Sequence, residues 1–384
     1  MTATIAGPAL PTAATVAAFA SLEGPCITWI VPDRHPGAPE GTIDAEIKHL
    51  VQMAEDQAKE SPATRWPADI AGAARVIRDA LAQDRGRPEN GGPGIAACLS
   101  KSGFASVRLH GVNEHVRLGT YPYVMPLIIP AFAVRDLFVL NLNAKKVHLY
   151  EYTNGACREV EIPAGVPTSA DEANHGPVGP IASSNRTTAS TSAGKVVGVR
   201  FGTGGERQSA GTRVERLCAE LDRGLRPVLN QKPLLLMGVR EEIAAYRRVS
   251  AYDWLLDSEV DGNWDALGMA QLAQHAHRAS LDEYRRVGKA VVAEAREMRD
   301  RTRASFDARE IMHAAREGRV HRLCVRADTE VMGPLPSTIS KAKIHREDLA
   351  NAAAVETLKH GGEIYILPQD MMPEAEPICA VLRY

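Results

Sequence analysis

The stretch LFVLNLNAKKVHLYEY (137–152) decides the class of this chain. Two runs rich in aliphatic and aromatic residues, 137–143 and 146–152, flank the dipeptide Ala144-Lys145. That pattern is a strand pair joined by a tight connection, and 157–162 offers a third strand. The protein does not go on as all-β. Val214, Leu217, Leu221, Leu225 and Val228 repeat at three and four, which predicts a helix over 212–229. LLLMG (234–238) then predicts a strand, and 239–249 another helix. A hairpin followed by alternating helices and strands makes an α/β layer.

Between the hairpin and that first helix the periodicity vanishes. From Pro163 to about Gly211 the chain is rich in Gly, Ser, Thr, Ala and Pro, as in PIASSNRTTASTSAGKVVGVRFGTGGERQSAG (180–211). A structureless excursion this long inside a compact domain is either functional or disordered.

Upstream, PCITWIV (25–31) reads as a buried strand. Ile43, Ile47, Leu50, Ala54 and Ala58 predict a helix over 43–59, with Thr42 as N-cap and Ser61-Pro62 as its stop. Ile70, Ala74, Ile77 and Leu81 predict a second, over 68–84, followed by short strands near 95–100, 105–109 and 115–118. The Ala-rich first 25 residues carry no Lys or Arg ahead of their apolar part. A short helix is therefore expected there rather than a signal peptide.

Downstream, one long helix is expected over 264–302. Its stripe His277, Leu281, Tyr284, Gly288, Val291, Ala295 and Met298 alternates spacings of four and three and needs one partner surface, within the chain or in another copy. Asp307-x-x-Glu310 opens a further helix that Gly318 closes. VHRLCV (320–325), a helix over 345–360 stopped by Gly361-Gly362, EIYIL (363–367) and ICAVLRY (378–384) complete the order. The expectation is three α/β domains: 1–132, 133–260 carrying the long loop 163–211, and 261–384 led by the long helix.

Of the 384 residues, 45% are hydrophobic and 24% charged, enough to build packed cores. Lys plus Arg number 45 against 47 for Asp plus Glu. Any nucleic-acid contact must then come from local patches. Cys26, Cys98, Cys157, Cys218, Cys324 and Cys379 are scattered without metal-like spacing, as expected of reduced structural thiols in a cytoplasm. No apolar run reaches membrane-spanning length, so no membrane contact is expected.

Signatures of chemistry are mostly missing. Gly194-Lys195 lacks the upstream Gly and following Ser/Thr of a phosphate loop, and neither G-x-G-x-x-G nor G-x-S-x-G occurs in a fitting place. His275 and His277, two apart on a helix, face different sides, so no metal is expected. Asp253, Asp257, Glu259 and Asp261 read as a solvated boundary, and no cofactor is expected. Basic residues are more suggestive. Arg207, Arg213, Arg216, Arg223 and Arg226 lie in or just after the long loop with few acids beside them. Such a patch can neutralise phosphates without reading sequence. The arginines of the long helix (Arg285, Arg286, Arg296, Arg299) are interleaved with Asp282, Glu283, Glu294 and Glu297, which cancel much of their field.

Four segments, in order, resemble a known family. They are PCITWIVPDRHPG (25–37), PLIIPAFAVRDLFVLNLNAKKVHLYEY (126–152), KPLLLMGVREEIAAYRRVSAYDWLL (232–256) and HGGEIYILPQDMMPEAEPICAVLRY (360–384). The chain resembles bacterial archaeo-eukaryotic release factor family 3, relatives of the archaeo-eukaryotic class 1 release factor and Pelota. The resemblance implies a ribonuclease-H-like middle domain and a last domain resembling the kink-turn-binding ribosomal-protein fold.

It also implies partners: the ribosome and its RNA, with a translational GTPase as a candidate and no DNA. In release factors a Gly-Gly-Gln loop enters the peptidyl transferase centre, where glycines let the backbone fit and the Gln places water against the ester. Here Gly204-Gly205 is separated from Gln208 by Glu206 and Arg207, so the tripeptide is broken. A positioning role does not survive such an insertion. The expected function is a ribosome-associated factor, docking at or near the A site in rescue or stress-linked hibernation, without ester hydrolysis. The alternatives are a peptidyl-tRNA hydrolase using the altered Gly204, Gly205 and Gln208, and a stress-linked interaction protein that does not meet the ribosome.

Overall fold

The computed structural model describes residues 11–32, 41–60, 66–67, 69–82, 94–133, 136–153, 155–174, 204–262, 268–299, 303–335, 347–372 and 375–384. Ser61-Pro62, Gly194-Lys195 and most of the long excursion lie outside these residues. By contact the chain forms two compact units, one of Met1–Arg135 with Leu281–Tyr384, the other of Asp136–Ser280. The fold class is α/β in both.

The first unit opens with α1 (Ala13–Ala20), capped by a reciprocal Thr12–Thr15 box. Val16, Phe19 and Ala20 of α1 are buried in the unit's main core. Next come β1 (Cys26–Val31), α2 (Gly41–Glu60), α3 (Ile70–Ala82), β2 (Gly94–Leu99), β3 (Phe104–Leu109), β4 (His115–Gly119) and the short α4 (Met125–Ile128). Thr42 falls inside α2 rather than capping it, because the helix already begins at Gly41. The four strands form an antiparallel sheet in the order β3-β2-β1-β4. β1 is buried along its whole length, because α2 and α3 cover one face through Ile47, Leu50, Ala73 and Ile77 and the main core lies on the other.

The second unit contains β5 (Leu137–Leu142), β6 (His148–Thr153), β7 (Ala156–Val160), α5 (Ala170–Asn174), α6 (Gly204–Leu229), β8 (Leu234–Gly238), α7 (Arg240–Val249) and β9 (Leu255–Asp261). β5, β6 and β7 form the expected antiparallel meander, with Leu140 opposite Leu149. β8 and β9 add in parallel, giving the order β7-β6-β5-β8-β9. β9 corrects the sequence reading. Asp257, Glu259 and Asp261 alternate on the exposed face of an edge strand, where charge discourages further pairing. They are also neutralised in part, by Arg247 on Glu259 at 3.1 Å and Arg240 on Asp261 at 2.7 Å.

α8 (Met269–Met298) begins in the second unit and ends in the first. It is shorter than expected at both ends. In the first unit Tyr284, Val291 and Ala295 pack on the chain's own C-terminal sheet, which is the partner surface the stripe required. The Tyr284 hydroxyl donates to the Ile364 carbonyl at 3.1 Å and accepts from the Ile366 amide at 2.7 Å. Gly288 lets helix and sheet approach, since a Cβ there would lie 2.5 Å from Leu367 Cδ2.

The rest of the first unit is β10 (Ala304–Ser305), α9 (Ala308–Arg316), β11 (Val320–Arg326), β12 (Met332–Gly333), β13 (Glu347–Asp348), α10 (Leu349–Lys359), β14 (Glu363–Leu367) and β15 (Ile378–Leu382). Asp307 caps α9 through the amides of Arg309 and Glu310, and Gly318 stops it at φ +69°. The sheet order is β10-β15-β11-β14, with β11 and β14 parallel. Ala350, Ala352, Ala353 and Ala354 of α10 share the main core with Ile311 and Ala315 of α9, and with Val16 and Ile30 from the other end of the chain. Polar ties join the same two segments. Asn351, buried, accepts from the Val124 amide and donates to the Pro122 carbonyl, both at 3.0 Å. Glu347 accepts from the amide and hydroxyl of Thr120. Arg117 lies 3.1 Å from Glu330 and 3.7 Å from Asp348. All six cysteines are free, and only Cys157 is not buried.

Candidate nucleic-acid interface

α6 is amphipathic. Leu217, Cys218, Leu221, Leu225 and Leu229 are buried against the sheet of the second unit. At 100° per residue the opposite face carries Arg213, Arg216, Glu220 and Arg223, all within one arc. Those three arginines and Arg226 are exposed. At 1.5 Å per residue the run from Arg213 to Arg223 extends about 15 Å.

Their partners differ. Arg216 pairs with Glu220 at 3.1 Å, one turn on. Arg226 pairs with Asp222 at 2.6 Å, and this contact raises its already high pKa. Glu215 on the same helix is taken by Arg248 of α7 at 2.8 Å. Among the described residues, Arg213 and Arg223 have no hydrogen-bond or ion-pair partner. Two guanidinium groups thus stand on the helix with their donors turned to solvent, flanked by two that are partly neutralised.

Asp222 anchors this helix end. Its side chain is 5% exposed. It accepts from the Ser250 hydroxyl at 2.5 Å and the Ala251 amide at 3.4 Å as well as from Arg226. The segment after α7 is thereby held against α6. Gly224 permits a second close approach, since a Cβ there would meet Val166 Cγ2 at 2.3 Å.

The Gly-Gly-Gln-like residues are not in a loop. Gly204, Gly205, Arg207 and Gln208 lie in the first two turns of α6, which starts well before the expected residue 212. The side chains of 204–210 are outside the described residues. The glycines of GTGGERQSAG do not break the helix. Glu, Arg, Gln and Ala between the glycines are good helix formers, and the amphipathic run that follows supplies a helix to extend. Trp254, just after α7, is exposed, and nothing in the local sequence marks it as such.

The other sequence candidates disperse. His277 is exposed and its Nδ1 lies 3.0 Å from the Tyr152 hydroxyl. Among the described residues no group of His, Cys, Asp and Glu could hold a metal ion. On α8, Arg285 and Arg286 pair with Asp282 and Glu283, while Arg296 shares Glu376 with Arg299, the residue after the helix. Among the described residues no helix is long and apolar enough to cross a membrane.

Residues 137–319 match the family described as bacterial archaeo-eukaryotic release factor family 3, so the resemblance read in the sequence holds there. The match begins at the first residue of β5 and takes in all of α6. Among solved structures, the archaeal translation termination factor aRF1 is 12% identical over 97% of this chain and 98% of that one, with a TM-score of 0.23. Pelota of Archaeoglobus fulgidus is 8% identical over 98% and 93%, with a TM-score of 0.35. Dom34 of S. cerevisiae, a translation termination-like factor, is 11% identical over 76% and 81%, also at 0.35. At such values these likenesses decide nothing about function. No curated protein matches the chain.

Proposed function

We propose that this chain, which carries the release-factor family 3 match over residues 137–319, is a translation factor that binds ribosomal RNA through α6. One observation carries the reading: Arg213, Arg216 and Arg223 lie exposed on one face of a helix inside the matched stretch, two of them without partners among the described residues. Such a row contacts phosphates by charge and position rather than by base identity. The net charge of -2 is no obstacle, because the field is local.

The action we infer is docking at or near the A site, in rescue or hibernation, without ester hydrolysis. Gly204 and Gly205 within a helix, and Gln208 separated from them, support a contact rather than a water-positioning loop. Cytoplasmic residence, and delivery by a translational GTPase, belong to the same proposal.

The test is co-sedimentation with 70S ribosomes across a salt series. The wild-type chain is expected to pellet with ribosomes, weakening as salt rises. Arg213→Ala/Arg216→Ala/Arg223→Ala is expected to bind less tightly, with the log–log salt slope shallower by roughly 2. An unchanged slope removes α6 from the interface. A chain that stays in the supernatant at low salt overturns the reading. Peptide release from loaded ribosomes, abolished by Gln208→Ala, would instead establish the hydrolytic alternative.

A further inference from the structure

At the C-terminal end of α6 the chain does something costly. Asn230 and Gln231 both adopt positive φ, 44° and 62°, although neither is glycine. The turn is held from several sides. The Lys232 amide donates to the Leu229 carbonyl at 2.8 Å, and the Tyr252 hydroxyl donates to the Lys232 carbonyl at 2.7 Å. Leu234 donates its amide to the carbonyl of Trp254 at 2.9 Å. Trp254 is thus fixed at the backbone beside this turn, yet the residue is 48% exposed.

Among the described residues the other indoles are less open: Trp29 is 2% exposed and Trp66 is half-buried. Trp254 shares its end of the unit with Arg226, the last arginine of the row. Asp222 ties Arg226 to Ser250 and Ala251, and Asp253 is near enough to Arg226 to support its charge. The row Arg213, Arg216, Arg223, Arg226 therefore runs toward the helix end beside which the exposed Trp254 is held, with the exposed residues Asn230 and Gln231 at that end.

We infer that Trp254 is a stacking platform for an unpaired RNA base, on a strand whose phosphates lie along the arginines of α6. This rests on the RNA-binding reading of α6 and names the form of RNA it takes. The cationic row and the flat face do different work. Guanidinium groups neutralise phosphates, whereas an indole gains only from a base free to leave its helix. A duplex keeps its bases stacked on one another and presents none to Trp254. The exposed amides of Asn230 and Gln231 offer both donors and acceptors for a base edge. A preference for single strands follows, with little dependence on sequence, because every base has a π face.

The test uses the full chain and fluorescence anisotropy of labelled 12-nucleotide oligouridylate and a 12-base-pair RNA duplex. Trp254→Ala is expected to lose roughly tenfold in affinity for the single strand at every salt concentration, with the slope unchanged. Its affinity for the duplex is expected to stay within about twofold of wild type, since no base stacks there. Trp254→Phe keeps an aromatic face and is expected to bind within about threefold of wild type while losing the tryptophan quenching that accompanies binding. Trp254→Ala binding the single strand as well as wild type, with the arginine variant still weakened, overturns the platform and leaves the α6 reading intact. Failure of the wild-type chain to bind either RNA overturns both. Equal loss on strand and duplex would show that Trp254 only supports the helix end, which also overturns the platform.

Discussion

Asp222 and Ser250 lie 2.5 Å apart, hydroxyl to carboxylate, and join α6 to the segment after α7. The same carboxylate holds Arg226 at 2.6 Å while remaining almost wholly buried. Removing it leaves the Ser250 hydroxyl and the Ala251 amide without their acceptor. Asp222→Ala is expected to cost about 2 kcal/mol in urea unfolding. Asp222→Asn keeps an acceptor oxygen and is expected to cost less. Equal losses in the two variants would show that the charge, not the hydrogen bonds, matters.

Asn351 bridges two backbone groups that no other side chain is shown to satisfy, the Val124 amide and the Pro122 carbonyl. Asn351→Ala buries both unpaired, at an expected cost of about 2 to 3 kcal/mol. Asn351→Asp restores the acceptor but not the donor and is expected to fall between. Urea midpoints should move with an unchanged m-value, and a drop in m would point to a second transition instead.

Burial raises the Glu347 carboxyl above its ordinary 4.5, against the opposing pull of the Thr120 hydrogen bonds and the Arg117 charge. Asp348, raised by the same cause, adds to it by repulsion. An acid raised on folding binds its proton more tightly in the native state. Its stabilising contribution is complete below the unfolded value and is lost as pH climbs through the raised one. Stability should thus decline as pH rises from the ordinary glutamate range. Glu347→Gln, which can still accept from Thr120, is expected to be more stable than wild type at pH 8, the gap closing toward pH 4.5. Parallel pH profiles for the two proteins would exclude Glu347 as the source.

Glu220 partly neutralises Arg216 across one turn of α6. An exposed pair of this kind contributes little to stability, so Glu220→Gln should shift unfolding by no more than about 0.5 kcal/mol. It should strengthen RNA binding about two- to threefold at low salt, an effect that fades as ions screen the helix. Weaker binding would mean that Glu220 orients Arg216 instead of competing for it.

The α/β class and the order of most elements were legible because alternation and 3.6-residue spacing are local. β9 is less legible, because its acidic residues also fit a solvated boundary. Asp257, Glu259 and Asp261 nonetheless recur at every second residue, which is strand spacing. The early start of α6 is hidden by its glycines, although the residues between them are helix formers. At the candidate interface, the shared face of Arg213, Arg216 and Arg223 followed from spacing, and so did the Arg216–Glu220 pair. The Arg248–Glu215 pair and the exposure of Trp254 depend on residues distant in sequence that pack nearby, which no local pattern encodes.

The first unit is made from the two ends of the chain, with residues 136–280 inserted between them. During synthesis, Val16, Phe19 and Ile30 leave the ribosome long before Ile311, Leu323 and Val355, with which they share a core. At 5–20 residues per second that delay is on the order of 10 to 60 s. The inserted unit, contiguous in sequence, can close as soon as it emerges. The nascent chain therefore carries a half-built apolar face while the inserted unit is already closed, and that interval is when the N-terminal sheet is most open to aggregation.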